Sequence, residues 1–194
     1  MKLVFATHNL NKYKEVKAMV PQGIELLNLH DIGCFDPIPE TAATIEGNAQ
    51  LKMEYIKNHY GYDCFADDTG LEVAALNGAP GVYSARYAGP EKDDQKNIQK
   101  LLTALMDSSN RSAQFKTVMA LCFQGQEHLI TGICKGYITL EPKGDKGFGY
   151  DPIFSPQDQQ RTFAQMSLKE KSVMGHRGIA MRQLLTVLNA ISKT

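Results

Sequence analysis

Two adjacent carboxylates follow an apolar run in the segment ADDTG at 66–70. In α/β proteins the ends of strands commonly present functional groups. A hard cation such as Mg²⁺ is satisfied by one or two carboxylates together with phosphate oxygens and water. Because consecutive strand residues face opposite sides, Asp67 and Asp68 share a pocket only where the strand ends between them. The alternative interpretation is a turn in which both aspartates accept backbone N–H groups.

The segment THNLNK at 7–12 follows an apolar strand and opens a helix. Free backbone N–H groups at a helix N-terminus attract anions, so the segment predicts a phosphate site. Asn9 is the expected N-cap, and Lys12 lies one turn into the helix, where it can contact a phosphate oxygen. The Walker A pattern GxxxxGK[ST] does not occur here. A capped helix with a surface lysine is the alternative.

Two further charged residues belong to the next predicted helix and the loop before it. Glu40 lies in the loop IPETAA and can supply a second metal carboxylate. Lys52 follows Asn48 by four residues and therefore shares its helix face. From the edge of the core Lys52 can reach into a cleft, although a solvated lysine lying along its helix is the ordinary alternative.

The segment GFGYD at 147–151 places an aromatic ring between two glycines. Glycine lets the backbone approach a flat ligand, which leaves Phe148 available to stack on a base. Tyr150 and Asp151 can then support the polar edge of that ligand. A tight loop anchored by core aromatics is the alternative. The segment HRG at 176–178 adds two neighbouring hydrogen-bond donors, suited to the carbonyl oxygens of a base.

Strands and helices alternate along the chain and must position these residues. Apolar runs predict strands at 2–6 and 24–29, and two β segments within 63–76 separated by the acidic residues. Periodic apolar positions predict helices after residue 9, over 44–60, at about 94–106 and twice after residue 166. Segments 112–123 and 128–140 predict a hairpin with its turn centred on Gly125. Ser167 and Glu170 form an S-x-x-E capping box.

Length and composition indicate one α/β domain over residues 1–194, with 43% hydrophobic residues. The 21 basic and 21 acidic residues cancel, so the field that steers proteins onto duplex nucleic acid is missing and we expect no such partner. Without an apolar stretch of about 18 residues, neither a membrane span nor a signal peptide is expected, which predicts a cytoplasmic protein. The four cysteines lack CxxC spacing and predict buried free thiols.

Taken in order, these segments resemble the inosine triphosphate pyrophosphatases, also called noncanonical purine NTP pyrophosphatases. The resemblance extends over almost the whole chain. Its motifs are TxNxxK at 7–12, ET at 40–41, NAxxKM at 48–53, ADDTGL at 66–71, GAPGVYSARYAG at 78–89, GFGYDPIF at 147–154 and EKSVMGHRG at 170–178. Three positions depart from the family pattern, in which glycine, glutamate and serine are common where this chain has His8, Gly47 and Thr69.

The resemblance implies a homodimer of elongated two-lobed α/β subunits, each with a central mixed β-sheet flanked by helices and a nucleotide cleft between the lobes. It implies that Asp68 is the catalytic base or a metal-bound carboxylate, that Glu40 is a further Mg²⁺ ligand, and that Lys52 contacts phosphates. The other substrate contacts that it implies are Thr7, His8, Asn9, Leu10, Asn11, Lys12, Thr69, Phe148, Gly149, Tyr150, Asp151, Lys171, His176 and Arg177.

The activity implied is hydrolysis of ITP, dITP and XTP to the monophosphate and pyrophosphate, which keeps these nucleotides out of DNA and RNA. Donors from His176 and Arg177 facing a 6-oxo group would favour hypoxanthine and xanthine over adenine. Two alternatives are a pyrophosphatase for pyrimidine or modified triphosphates and a non-enzymatic nucleotide sensor. The carboxylates Glu40, Asp67 and Asp68 favour an enzyme, because a sensor tolerates their loss.

Overall fold

A computed structural model of the chain describes residues 1–193. The strands are β1 (Lys2–Phe5), β2 (Glu25–Leu27), β3 (Cys64–Val73), β4 (Pro80–Gly81), β5 (Ser112–Phe123), β6 (Gln126–Ile138) and β7 (Phe154–Pro156). The α-helices are α1 (Leu10–Lys17), α2 (Ile45–Tyr60), α3 (Asp94–Ala104), α4 (Leu168–Met174) and α5 (His176–Ile191). Single 3₁₀ turns occur at His30–Ile32, Ala74–Leu76, Ser84–Arg86, Asp151–Ile153 and Phe163–Gln165. The mixed α/β class is therefore confirmed.

All seven strands belong to one mixed sheet in the order β2-β1-β3-β5-β6-β7, with β4 paired to β3. β1 pairs in parallel with both β2 and β3. Parallel neighbours need a crossover connection, and α1 and α2 lie in the connections that follow β1 and β2. The pairs β3–β4 and β6–β7 are antiparallel.

β5 and β6 form the hairpin that the sequence predicts. Only Gln124 and Gly125 connect the two strands. Both have positive φ, 49° and 76°, as a two-residue turn matching the twist of the flanking strands requires. The expected turn at Gly125 is therefore confirmed.

The first of two compact units comprises residues 1–68, 117–132 and 177–193. Its core lies between sheet strands and the apolar faces of α1 and α5. The rings of Phe5 and Phe65 stack at its centre, with centroids 4.6 Å apart. The buried residues around this pair include Leu3, Val16, Met119, Leu121, Phe123, Ile130, Ala180, Met181, Leu184 and Leu188.

The second unit comprises residues 69–116 and 133–176 and has an aromatic core of its own. Phe115 and Phe154 meet edge to face, with ring centroids 4.7 Å apart, and Phe163 lies 5.2 Å from Phe154. Leu71, Val73, Ile98, Leu101, Leu105, Ile138, Tyr150, Ile153 and Met166 complete the cluster.

The sequence predicts two β segments around the acidic residues and a helix over 44–60. β3 runs without a break from Cys64 to Val73, so the expected division into two β segments is wrong. α2 begins after Thr44, whose hydroxyl accepts the Gly47 N–H at 3.1 Å. A Cβ on Gly47 would lie 2.6 Å from Ala42 Cβ, which gives a steric reason for glycine here.

The cysteines and the helices also bear on expectations from composition. All four cysteines are buried free thiols, as predicted. Within residues 1–193, none of the helices combines the length and apolar character that crossing a bilayer requires.

Candidate functional site

The two adjacent aspartates of β3 engage different partners in the first unit. Because β3 is continuous, Asp67 and Asp68 project to opposite sides of the strand. Asp67 pairs with Lys12 at 3.0 Å, whereas Asp68 lies 3.6 Å from Lys52 Nζ. Each aspartate therefore has its own electrostatic surroundings and its own role to explain.

Around Asp68, α2 and the loop before it supply the contacts. Lys52 Nζ donates to Glu40 Oε1 at 2.5 Å. Asn48 donates from Nδ2 to Asp68 Oδ2 at 3.3 Å and accepts the Ala42 N–H on Oδ1 at 2.9 Å. Asn48 thus ties the loop that carries Glu40 to the strand that carries Asp68. Glu40 and Asp68 both approach the Lys52 ammonium.

The ionisation of this cluster suits a base held beside a fixed cation. Burial raises the pKa of Asp68, and the positive charges of Lys52 and Lys12 offset that effect only in part. Burial alone would lower the pKa of Lys52, but the carboxylates of Asp68 and Glu40 outweigh it, so the pKa is raised. Lys52 is therefore cationic at neutral pH, and Asp68 is shifted in the direction that a general base requires.

Asp67 is one of four charged side chains that contact one another in a series of alternating sign. Asp67 is fully buried and binds Lys12 through Oδ1 and the Arg177 guanidinium through Oδ2, each at 3.0 Å. Arg177 also donates to Glu15 through a short hydrogen bond. Burial would raise the pKa of Asp67, but Lys12 and Arg177 hold it well below its usual range.

The segment 7–12 has the local geometry that the sequence predicts. Asn9 caps α1, because its side-chain oxygen accepts the N–H groups of Asn11 and Lys12 at 2.9 and 3.1 Å. The Thr7 hydroxyl accepts the Asn9 N–H at 3.1 Å. Leu10 opens the helix with its side chain exposed. His8, at a position where the family often has glycine, lies 3.0 Å through Nε2 from the Asp36 carbonyl.

The glycine-rich segment 147–151 lies in the second unit. Tyr150 is buried in the core and donates to the Ser84 carbonyl at 2.8 Å, as a core anchor does. The Gly149 N–H donates to Asp94 at 2.7 Å. Asp151 Oδ2 accepts the Phe148 N–H at 3.0 Å, which closes the loop beneath a half-buried ring. A Cβ on Gly147 would collide with that carboxylate, so glycine is required there.

Lys171 joins this loop through charge and through aromatic contacts. Its ammonium pairs with Asp151 at 2.5 Å and lies 5.0 Å from the Phe148 ring centroid and 5.4 Å from that of Phe163. His176 packs in the same unit, with its ring stacked on Phe115 at 4.5 Å. The second unit therefore brings Phe148, Asp151 and Lys171 into direct contact.

Comparison with known proteins places these residues in a family. A model of the Ham1 family matches residues 3–187. The chain belongs to the Ham1 family. Relatives named dITP/XTP pyrophosphatase include those of Christiangramia forsetii, 60% identical over 97% of this chain and 100% of the relative, and Bacillus subtilis, 42% identical over 96% of each. The resemblance to the inosine triphosphate pyrophosphatases is thereby confirmed.

Solved structures of Ham1 proteins share the fold. A HAM1 protein from Coxiella burnetii superposes with a TM-score of 0.89 at 39% identity, covering 98% of this chain and 99% of that one. The structure of the Staphylococcus aureus Ham1 protein gives 0.88 at 37% identity, with coverages of 98% and 99%. Both comparisons extend over nearly the whole of each chain.

Within this Ham1 chain, sequence reasoning does not identify how Glu15, Asn48 and Asp67 organise the first unit. Asn48 was recognised only as the neighbour of Lys52 on α2, and Glu15 carried no signal at all. The sequence leaves open which of Asp67 and Asp68 faces the cleft, and in the structure both oxygens of Asp67 are engaged by Lys12 and Arg177. The spacing of Asn48 four residues before Lys52, on a buried face, is the one signal that pointed toward the site.

Proposed function

We propose that this protein is a Mg²⁺-dependent pyrophosphohydrolase that converts noncanonical purine nucleoside triphosphates, ITP, dITP and XTP, to the monophosphate and pyrophosphate. The observation that carries the proposal is the cluster of Glu40, Lys52 and Asp68, in which two carboxylates approach one ammonium. The names of the relatives supply the substrate class. We infer a single functional domain over residues 1–194.

The charge balance of the first unit supports a requirement for a divalent cation. The ionised groups joined to Asp67 and Asp68 leave a net charge of −1, from three cations and four carboxylates: Lys12, Lys52, Arg177, Glu15, Glu40, Asp67 and Asp68. A triphosphate is repelled by such a cluster, and a bound Mg²⁺ would make the sum positive. This charge balance favours binding of the triphosphate together with a divalent cation.

Glu40 and Asp68 are the residues that would hold Mg²⁺. Within residues 1–193, no group of three or more His, Cys, Asp and Glu side chains is arranged as a metal cage. Mg²⁺ does not need one, because one or two carboxylates with substrate phosphates and water complete its shell. When bound, Mg²⁺ supplies neutralisation of the charge on the phosphates.

The residues of the chain have separate roles in the proposed hydrolysis. Asp68 is the proposed base that accepts a proton from the water that attacks the α-phosphorus. Lys12 and Lys52 lie on α1 and α2 and stabilise the departing pyrophosphate, as Lys171 would through its contact with the substrate. Thr7 to Asn11 line the N-terminus of α1, whose N–H groups favour an anion.

For the base, we propose recognition by the second unit through Phe148 and Asp151, with Gly149 and Tyr150 shaping the loop. Phe148 offers a ring face for stacking. Thr69 and His176 remain proposed contacts on the resemblance. Arg177 is also proposed as a donor to the base, although in the described structure its guanidinium binds Glu15 and Asp67.

Assembly and surroundings are inferred on the resemblance and on composition. We propose a homodimer in the cytoplasm, with no duplex nucleic acid and no membrane as partners. Light scattering should give twice the mass of one chain. A monomeric mass would contradict the dimer without affecting the hydrolytic proposal.

The test of the proposed function is ITP hydrolysis by the wild type, Asp68→Asn and Glu40→Gln, with Mg²⁺ present. Both variants should lose pyrophosphate release by at least about a hundredfold, since each removes a group required for the chemical step. Glu127→Gln is the matched control, because Glu127 is an exposed carboxylate that pairs with Lys57 on the surface of the first unit. The control should hydrolyse ITP at the wild-type rate. Full activity in Asp68→Asn would overturn the mechanism.

A further inference from the structure

Four charged side chains in the first unit form a buried chain of alternating sign, from Lys12 through Asp67 and Arg177 to Glu15. Asp67 is fully buried, Arg177 is 3% exposed and Glu15 is 8% exposed. The side chain of Lys12 is more open, at 14%. The chain of charges thus leads from the interior to a lysine near the surface.

Burying so many charges is not explained by stability. Removing ions from water is unfavourable, and a buried ion pair is often no more stable than apolar residues of similar volume. The contacts also join distant segments, since Asp67 and Arg177 are 110 residues apart and Glu15 and Arg177 are 162 apart. Of its two ends, Lys12 has the more exposed side chain, at 14% against 10% for Glu15, and it is also the end proposed as a phosphate contact.

Asp67 has no access to a substrate of its own. Its exposed fraction is zero, and its two oxygens are engaged by Lys12 on one side and by Arg177 on the other. Of its two ion-pair partners, Lys12 is the one that is proposed as a phosphate contact. Arg177 and Glu15 in turn fix the orientation of the Asp67 carboxylate, because a guanidinium is planar and donates in fixed directions.

We propose that Asp67 is a positioning residue, which holds the Lys12 ammonium in one place for the phosphates and is itself held by Arg177 and Glu15. The inference rests on the proposed function only for the role of Lys12 as a phosphate contact. The surroundings of Lys12 agree with it. Burial lowers the pKa of Lys12, as do Lys52 and Arg177, whereas Asp67 and Asp68 oppose the loss of its charge.

A double-mutant cycle separates positioning from a purely structural role. Lys12→Met and Asp67→Asn are made singly and together. Each single variant should lower kcat/KM for ITP by roughly tenfold or more, the loss expected for one charge-assisted contact. The double variant should be within about threefold of the worse single variant, because Asp67 has no further effect once Lys12 is gone.

Two further variants keep the result interpretable. Glu15→Gln weakens the contact with Arg177 that orients Asp67, and it leaves Lys12 unchanged. It should lower kcat/KM less than Asp67→Asn does, and it should have no effect on kcat/KM when Lys12→Met is also present. Asp63→Asn is the matched control, because Asp63 lies just before β3 in the same unit and its carboxylate accepts the N–H of Gln124 in the β5–β6 turn at 2.8 Å. Its effect should be the same with and without Lys12.

The cycle is also measured on the dissociation constant of inorganic tripolyphosphate with Mg²⁺, by calorimetry. If the wild type binds tripolyphosphate but releases no pyrophosphate from ITP, the proposed function fails and the binding cycle still decides the role of Asp67. The inference would be overturned if, in both assays, the double variant showed the product of the two single fold-changes, because Asp67 would then act independently of Lys12. The absence of any tripolyphosphate binding by the folded wild type would also overturn it.

Discussion

The buried ion pair of the second unit gives a stability prediction whose size follows from the structure. Asp151→Asn leaves the Lys171 ammonium, 8% exposed, without the carboxylate that lies 2.5 Å away. Removing one partner of a buried pair costs about 3–5 kcal/mol of unfolding free energy. The rings of Phe148 and Phe163 lie 5.0 and 5.4 Å from that ammonium and retain part of its stabilisation. We therefore expect the lower end of the range, about 3 kcal/mol.

The assay is urea unfolding of the wild type, Asp151→Asn, Lys171→Met and the double variant. Removing both charges leaves no buried ion without its partner, so the double variant should be more stable than the sum of the two single losses predicts, by at least about 1.5 kcal/mol. Losses that simply add, or an Asp151→Asn variant within about 0.5 kcal/mol of the wild type, would refute the reasoning.

Three further predictions concern single residues. Asn48→Ala should lower the unfolding free energy by about 1–3 kcal/mol, because it removes the acceptor of the Ala42 N–H, and it should slow pyrophosphate release, because it removes the donor to Asp68. Urea unfolding and ITP turnover measure the two effects, and wild-type values in both would contradict the prediction. The Ser167 backbone N–H and the Arg161 guanidinium lower the pKa of Glu170 to about 2. The melting temperature of Glu170→Gln should therefore be below that of the wild type by its full difference above pH 4.5, and the difference should disappear as pH falls toward 2. A difference that stays constant across that range would be the contrary result. Burial raises the pKa of Cys64 to about 12 and that of Cys134 to about 11, so iodoacetamide at pH 8 should label neither until urea is added, and rapid labelling of the folded protein would argue against their burial.

Local chemistry made several elements predictable from sequence. The Thr44 hydroxyl caps α2, and Ser167 with Glu170 forms both hydrogen bonds of the capping box that opens α4. Gly125 marks the tight turn between β5 and β6. Each of these signals depends on residues within four positions of one another, which is why they can be read without the fold.

Contacts between distant segments were not predictable in the same way. The family resemblance implies that Arg177 contacts the base. Its guanidinium also binds Asp67 and Glu15, which lie 110 and 162 residues away along the chain, and no local pattern indicates these two contacts. The continuous course of β3 was also missed, because the acidic residues and Gly70 resemble a strand end. Lys12 and Arg177 compensate the buried charge of Asp67, and Leu71 and Val73 then continue the buried face. Tertiary pairing thus overrides a local signal for a turn.

The most direct test of the central claim is pyrophosphate release from ITP, XTP, GTP, ATP and dTTP, with Mg²⁺ and with EDTA, detecting pyrophosphate separately from orthophosphate. We predict release that requires Mg²⁺ and is fastest with ITP or XTP. Equal rates with all five triphosphates would contradict base selection, and a preference for dTTP would indicate a pyrimidine pyrophosphatase. Undiminished release in EDTA would contradict the role of Glu40 and Asp68 as metal ligands, and no release from any of the five would contradict the proposed activity itself.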